Sequence, residues 1–384
     1  MINGKVSIDY LGCKLNQAEV EALGIDFMRA GYQPVSSDES ADVCLLNSCT
    51  VTHVADRKSR QWIRRTRRAN PSALIIVTGC YAQRAYDEIK QIDQNVVIVD
   101  NQNKMGMVDW LLREGHLKEN PPGALADSGQ RHKTRSLVRI QHGCTNRCAY
   151  CIVPLVRQEC FSRTRSEVLN EIDARVEAGY AEIVLTGTEI GSYNSGGMRL
   201  KELVLNILQS SPVKRLRLSS LQPHHLQDGL LDLWDDERLC PHFHVSLQSG
   251  SDAVLKRMNR HYSRDSYKDI AQRIHQKVAD AAITTDVIVG FPGETQADFE
   301  ETVDLCEEIG FARIHVFPYS SRPMTQAIGM EPVVSEQDKK KRGREMLSIA
   351  EKASRGFRQK FEGRVMPVLW ESCSGGLFSG LTPN

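Results

Sequence analysis

The chain has 384 residues, too many for one ordinary domain and enough for two or three. Hydrophobic residues at 41% and charged residues at 25% are those of a soluble globular protein, and a net charge of +1 leaves nucleic-acid binding to be decided by local charge. No apolar run is long enough to span a bilayer and no signal-peptide pattern occurs, so the sequence points to a cytoplasmic protein without membrane contact, whose eleven cysteines read as thiols or metal ligands.

Residues 1–105 repeat one theme. The β-like runs "KVSIDYLGC", "DVCLLNSC" and "ALIIVTGC" end at Cys13, Cys49 and Cys80, and "NVVIVD" follows as a further strand. A helix-compatible stretch such as "NQAEVEALGIDFMRAG" follows each of the first three. Alternating strands and helices predict a parallel α/β sheet, whose C-terminal strand ends share one edge. Ligands bind at that edge, so Cys13, Cys49 and Cys80 are expected to gather there although they are far apart in sequence. Cys44 lies inside its strand and reads as a small buried hydrophobe.

Between the second and third of these strands, "ADRKSRQWIRRTRRAN" places Arg57, Lys58, Arg60, Arg64, Arg65, Arg67 and Arg68 on one predicted helix. Arg57, Arg60, Arg64 and Arg67 recur at spacings of three and four and are expected to line one face. With almost no acidic residue on the helix, this stripe reads as an electrostatic footprint for phosphate. The basic run "KKKRGR" at 339–344 is read as the exposed face of a connecting helix.

A polar stretch rich in proline and glycine makes 106–133 a linker. From 134 to 360, strands are predicted at "SLVRIQ", "AEIVLTG", "RLRLSS", "FHVSLQSG", "TTDVIVGF" and "RIHVFPYS", with helices such as "RSEVLNEIDARVEAG" and "QADFEETVDLCEEIG" between them. Six strand–helix units imply a (βα)6 partial barrel with its chemistry at the C-terminal strand ends. Directly after the first of these strands comes "QHGCTNRCAYC", three cysteines within eight positions. A structural zinc site closes with four ligands, usually two separated pairs, so three sulfurs indicate a metal centre with one position open.

The spacing Cys144-x3-Cys148-x2-Cys151, with Tyr150 before the last cysteine, resembles the radical S-adenosylmethionine signature. Together with Cys13, Cys49 and Cys80 it resembles the methylthiotransferases, and "LGCKLN", "NSCTVTHVADRKSRQ" and "VTGCYAQ" resemble most the threonylcarbamoyladenosine tRNA methylthiotransferases. The resemblance implies two 4Fe–4S clusters, each with one iron that no cysteine ligates. One would bind S-adenosylmethionine and yield a 5′-deoxyadenosyl radical, and the other would carry the sulfur or methylthio group. The implied substrate is the N6-threonylcarbamoyladenosine in the tRNA anticodon loop, methylthiolated at its second ring carbon, with a flavodoxin or ferredoxin as electron donor. Two alternatives stay open: a methylthiotransferase acting on isopentenyladenosine tRNA or a ribosomal-protein aspartate, and an iron–sulfur RNA-binding protein without catalysis.

S-adenosylmethionine needs partners at the strand ends. Glu189 is expected to accept from its ammonium or ribose hydroxyls, Ser219 and Gln248 end later strands with suitable polar groups, and Tyr150 is expected against the adenine. The glycines of "VGFPGET", which lacks the ending of a phosphate loop, are read as letting the backbone approach the cofactor. Gln158 and Phe161 stand where relatives usually have glycine and arginine, and Cys160 in the same loop is read as incidental. Residues 361–384 resemble the start of the β-barrel RNA-binding module called TRAM. Only about two of its strands fit there, as in a truncated or degenerate copy.

Overall fold

The computed structural model describes residues 4–118, 134–227 and 229–384. The chain divides into two compact units, Met1–His132 with Gly143–Thr145 and Cys151–Cys160, and Lys133–His142 with Asn146–Tyr150 and Phe161–Asn384.

The first unit is a five-stranded parallel sheet in the order β2-β1-β3-β4-β5, formed by β1 (Lys5–Tyr10), β2 (Gln33–Val35), β3 (Val43–Ser48), β4 (Leu74–Gly79) and β5 (Val97–Ile98). Every residue of β3 is buried, as expected of a central strand covered on both faces. Side chains alternate across it. Leu45 joins Val6, Leu23, Phe27 and Ile76 on one face, whereas Cys44 and Leu46 join Ile63, Ile75 and Val77 on the other. Helix α1 (Lys14–Arg29) covers the first face, and α2 (His53–Ala69), α3 (Cys80–Arg84) and α4 (Tyr86–Ile92) cover the second. Strand order reverses between β1 and β3, which opens a crevice at their C-terminal ends.

The linker expected from 106 begins later. Met107–Arg113 form α5, and Met107, Val108, Leu111 and Leu117 are buried in the core of the first face. Their spacing along a helix puts an apolar stripe against the sheet. The rest of that linker, residues 119–133, lies outside the described residues. Another short helix of this unit, α6 (Val153–Val156), follows the cysteine motif, and its Val156 packs with Ile152 against Cys80.

In the second unit the strands β6 (Arg135–Arg139), β9 (Glu182–Thr186), β12 (Arg215–Leu218), β14 (His242–Val245), β15 (Ala282–Val289) and β16 (Arg313–Pro318) run parallel in chain order. A break at Ser219 separates β12 from its continuation β13 (Ser220–Leu221), which pairs with β14. Among the described residues no ladder joins β16 back to β6, so the array is a partial barrel. Alternate residues such as Val138, Ile183, Leu185, Leu216, Phe243 and Ile283 meet the helices α7 (Arg165–Glu177), α8 (Leu200–Ser210), α10 (Arg264–Lys277) and α11 (Gln296–Ile309). The short helix α9 (Asp252–Arg257) and the short pairs β7 (Gln141–His142) with β8 (Phe161–Ser162), and β10 (Asn194–Ser195) with β11 (Met198–Arg199), decorate the connections.

Helix α12 (Glu336–Gln359) adds Met346 and Ala350 to the same core. The tail is a two-stranded hairpin, β17 (Leu369–Ser374) with β18 (Leu377–Leu381). Glu371 pairs with Arg135 at 2.6 Å, and Arg215 donates to the Leu381 and Pro367 carbonyls at 3.3 Å. Arg135 and Arg215 begin β6 and β12, so the hairpin docks at the N-terminal strand ends, opposite the edge where barrel chemistry sits.

Candidate functional site

Cys49 and Cys80 directly follow β3 and β4, and Cys13 follows the short Leu11–Gly12 loop that ends β1, so the three lie at the C-terminal edge of the parallel sheet. Cys13 N-caps α1 and Cys80 opens α3, so both sit where helix amide groups favour negative charge. Cys49 and Cys80 are buried and Cys13 is exposed. Burial pushes the Cys49 thiol up to about 12, and Cys80 adds to the shift. Such a thiol ionises readily only when a metal ion shares its charge. Gly12 takes φ +96°, and a Cβ there would stand 2.6 Å from Cys49 Sγ, so the loop fits only glycine.

Behind these sulfurs lies a buried charge network. Arg157 donates from Nη1 to Glu19 Oε1 at 2.7 Å, from Nη2 to Glu19 Oε2 at 2.9 Å and to Asn16 Oδ1 at 2.8 Å, and from Nε to Cys80 Sγ at 3.4 Å. Lys104 Nζ donates to Glu19 Oε2 at 2.7 Å and to Asn47 Oδ1 at 3.2 Å. Burial opposes ionisation of Glu19, but Lys104 and Arg157 outweigh it and hold the carboxyl well below its usual range. Two cationic side chains thus share one carboxylate next to the thiols, an arrangement that suits a further negative charge.

The motif cysteines Cys144, Cys148 and Cys151 are partly accessible, unlike Cys44, Cys240 and Cys306, which are fully inside. Arg260 donates from Nη1 to Cys148 Sγ at 3.2 Å and from Nε to Tyr262 Oη at 3.1 Å. Tyr262 is in turn anchored on the Ser246 and Leu247 carbonyls. Tyr150 meets Phe291 edge-on, with ring centroids 6.4 Å apart.

Glu189 is 8% exposed and its backbone N–H donates to Gln141 Oε1 at 2.8 Å. Its carboxylate accepts from Asn146 Nδ2 at 2.6 Å and from Gln222 Nε2, with His225 Nε2 at 3.7 Å. The neighbouring Gln222 N–H donates to His225 Nδ1 at 3.1 Å, which fixes that ring nitrogen as an acceptor. Ser219 is buried at the break between β12 and β13, and its N–H donates to the Leu185 carbonyl. Gln248 is buried at φ +68°, yet its backbone still bridges to β15. A left-handed non-glycine residue costs on the order of 1–3 kcal/mol, and such strain concentrates at functional sites.

The seven basic residues of α2 do lie on one helix, but not as one free stripe. Arg67 Nε pairs with Asp93 at 2.6 Å, and Nη1 donates to the Pro71 and Ala73 carbonyls. Arg60 meets Glu88 at 3.5 Å and Tyr81 Oη at 3.4 Å. Arg60 and Arg67 stand three residues before and four after the fully buried Ile63, so they share its inward face. Arg57, Lys58, Arg64, Arg65 and Arg68 are exposed, with Arg65 in a loose surface pair to Asp38 at 3.6 Å.

Two further expectations are corrected. Within "KKKRGR", Lys339 and Arg342 turn inward, Arg342 pairing with the buried Glu294 at 2.6 Å. A Cβ on Gly290 would collide with the Lys339 side chain, and one on Gly293 with the Arg257 guanidinium. These glycines therefore make room for protein side chains. Phe161 stacks on His142 at 5.2 Å beneath the Arg139 guanidinium, and Gln158 is exposed.

Sequence reasoning missed Asn16, Glu19, Lys104 and Arg157, and also Asn146, Gln222, His225 and Arg260. One signal was available for Glu19: it occupies the apolar stripe of α1 between Leu15 and Leu23, where a carboxylate needs buried partners. Also unforeseen are His244, Asp286 and His315, which meet on the adjacent strands β14, β15 and β16, with His244 Nε2 3.2 Å from Asp286 Oδ2.

Comparison with known proteins agrees with this geometry. The Radical SAM superfamily matches residues 138–306, and the uncharacterized protein family UPF0004 matches residues 5–100. The threonylcarbamoyladenosine tRNA methylthiotransferase MtaB of Bacillus subtilis is 36% identical over 99% of this chain and 88% of its own length. A tRNA-2-methylthio-N(6)-dimethylallyladenosine synthase of Desulforamulus reducens is 33% identical over 95% of this chain and 84% of its own. Among solved structures, the radical S-adenosylmethionine methyltransferase TsrM of Kitasatospora setae shares the fold, with a TM-score of 0.60 at 13% identity over 85% of this chain and 77% of that one. With identity at this level over nearly the full length, the chain belongs to the radical S-adenosylmethionine methylthiotransferase family.

Proposed function

We propose that the chain is a tRNA methylthiotransferase that converts N6-threonylcarbamoyladenosine beside the anticodon to its 2-methylthio derivative. The observation that carries this reading is the second cysteine trio. Besides the Cys144-x3-Cys148-x2-Cys151 motif, the chain brings Cys13, Cys49 and Cys80 to one edge of a parallel sheet, against two buried cations. Residues able to hold two open clusters fit a reaction that needs a radical and a sulfur donor. Identity of 36% over 99% of this chain to a relative named for the threonylcarbamoyl substrate supports that nucleoside over its alternatives.

When bound, the two 4Fe–4S clusters and S-adenosylmethionine would supply the adenosyl radical, the sulfur carrier and the methyl group. The chain's own residues hold and orient. Cys144, Cys148 and Cys151 would ligate one cluster, with the Arg260 guanidinium donating to the Cys148 sulfur. Cys13, Cys49 and Cys80 would ligate the other. Glu189, fixed by Asn146 and the Gln141 side chain, would accept from the amino group or ribose of S-adenosylmethionine. Tyr150, Ser219 and Gln248 would complete that pocket, and the exposed basic side of α2 would take tRNA phosphates. A flavodoxin or ferredoxin would deliver electrons, and the reaction would run in the cytoplasm, where tRNA is found.

Mass spectrometry of tRNA nucleosides from cells with and without the gene tests the reading. The 2-methylthio derivative of threonylcarbamoyladenosine should vanish with the gene and return with the intact copy but not with Cys13→Ala. Unchanged levels of that nucleoside would overturn the proposal.

A further inference from the structure

Arg157 lies six residues beyond Cys151, at the C-terminal end of α6, yet its side chain ends among groups that flank Cys13 and Cys80. The segment is fastened there. Ile152 and Val156 pack on Cys80, and Asn101 Nδ2 donates to the Val156 carbonyl at 2.7 Å. Arg157, Glu19 and Lys104 are exposed by only 2%, 1% and 1%, so no solvent screens their charges. Glu19 engages both cations and thereby aims the Arg157 Nε–H at the Cys80 sulfur.

We propose that Arg157, oriented by Glu19 and Asn16, is a positioning residue that binds the Cys80 sulfur and, together with Lys104, raises the reduction potential of the iron–sulfur cluster held at Cys13, Cys49 and Cys80. This rests on the reading of that trio as cluster ligands. A hydrogen bond to a cluster sulfur and a nearby positive charge both stabilise the more negative, reduced state. Both act out of solvent here, since the Arg157 and Lys104 side chains are exposed by only 2% and 1%. A merely structural ion pair would hold the fold together but would not order the potentials of its variants by charge.

The test uses the full chain carrying Cys144→Ala, Cys148→Ala and Cys151→Ala, reconstituted with iron and sulfide under anaerobic conditions, so that the trio's cluster is observed alone. Iron content is measured first, then the midpoint potential by mediated titration followed by electron paramagnetic resonance. Arg157→Gln removes a donor and a positive charge and should lower the midpoint. Lys104→Met should lower it as well, without touching a cysteine. Glu19→Gln removes the opposing charge and should raise it, and Arg157→Lys should fall between the parent and Arg157→Gln. Should Arg157→Gln fail to take up iron, the opposite signs expected for Lys104→Met and Glu19→Gln still decide. Loaded variants with unchanged midpoints, or shifts of one sign for Lys104→Met and Glu19→Gln, would overturn the inference. A parent with no cluster would overturn the trio as ligands, and this inference with it.

Discussion

Asn146, midway between Cys144 and Cys148, donates its side-chain amide to Glu189 Oε1 at 2.6 Å. One loop thus carries a motif cysteine and the group that sets the carboxylate beyond β9. Glu189→Gln keeps the shape but gives the Asn146 and Gln222 amides a weaker acceptor. It also removes the charge that would hold an ammonium group. A hydrogen bond to a charged group contributes about 1.5–3 kcal/mol, which converts to roughly a ten- to hundredfold loss of S-adenosylmethionine affinity. Calorimetric titration of the reconstituted protein measures this. An unchanged affinity would remove Glu189 from the cofactor site.

The Gly12 loop offers a second test. Its backbone is left-handed and an added Cβ would stand 2.6 Å from Cys49 Sγ and 2.8 Å from Cys49 Cβ. Gly12→Ala should therefore push Cys49 out of line and cost on the order of 1–3 kcal/mol in strain. The expected result is loss of about half the bound iron, since one of two clusters is affected, with the other spectrally normal. Full iron in Gly12→Ala would show that the loop can move aside.

His225 makes stability depend on pH. Burial, followed by His224 and Arg260, lowers it to about 3, and its Nδ1 accepts from the Gln222 N–H. The unfolded chain, titrating near 6.5, binds more protons than the folded one between these values, so stability falls as pH drops through that window. At pH 5 this group should cost about 2 kcal/mol relative to neutral pH. Urea midpoints at pH 7 and pH 5 test it, because His225→Gln should show a smaller drop between them than the parent.

The strands were readable because β3 and β4 are continuous apolar runs, and the cysteines because each stands just past such a run. Strand β2 was not, since Gln33–Val35 is three residues long with a central proline and pairs only with β1. Helix α5 was lost to the proline- and glycine-rich stretch that follows it, although the spacing of Met107, Val108 and Leu111 gave it away. The Arg157–Glu19 pair spans 138 positions, and no local pattern encodes which two distant charges meet. Local chemistry is written in spacing, whereas the partner of a buried charge is decided by the fold.

The basic helix shows the same limit and gives the sharpest test. A helix turns about 100° per residue, so spacings of three and four group residues on one side without saying which side faces out. Ile63, fully buried, settles it: Arg60 and Arg67 flank it and are bound to Glu88 and Asp93, while Arg57, Arg64 and Arg68 recur on the exposed side. Arg57→Glu, Arg64→Glu and Arg68→Glu combined should weaken tRNA binding and flatten its salt dependence by roughly one unit of slope for each phosphate no longer neutralised. Iron content and stability should stay as in the parent, since exposed side chains contribute little to either. Arg67→Glu should do the reverse. It sets a carboxylate against Asp93, which is 10% exposed, and should cost on the order of 2–3 kcal/mol in urea unfolding. Binding measured across a salt series, beside unfolding of the same proteins, separates the two faces. Equal tRNA affinity for the exposed triple variant and the parent at every salt concentration would leave that face a solvated surface and move the RNA site elsewhere.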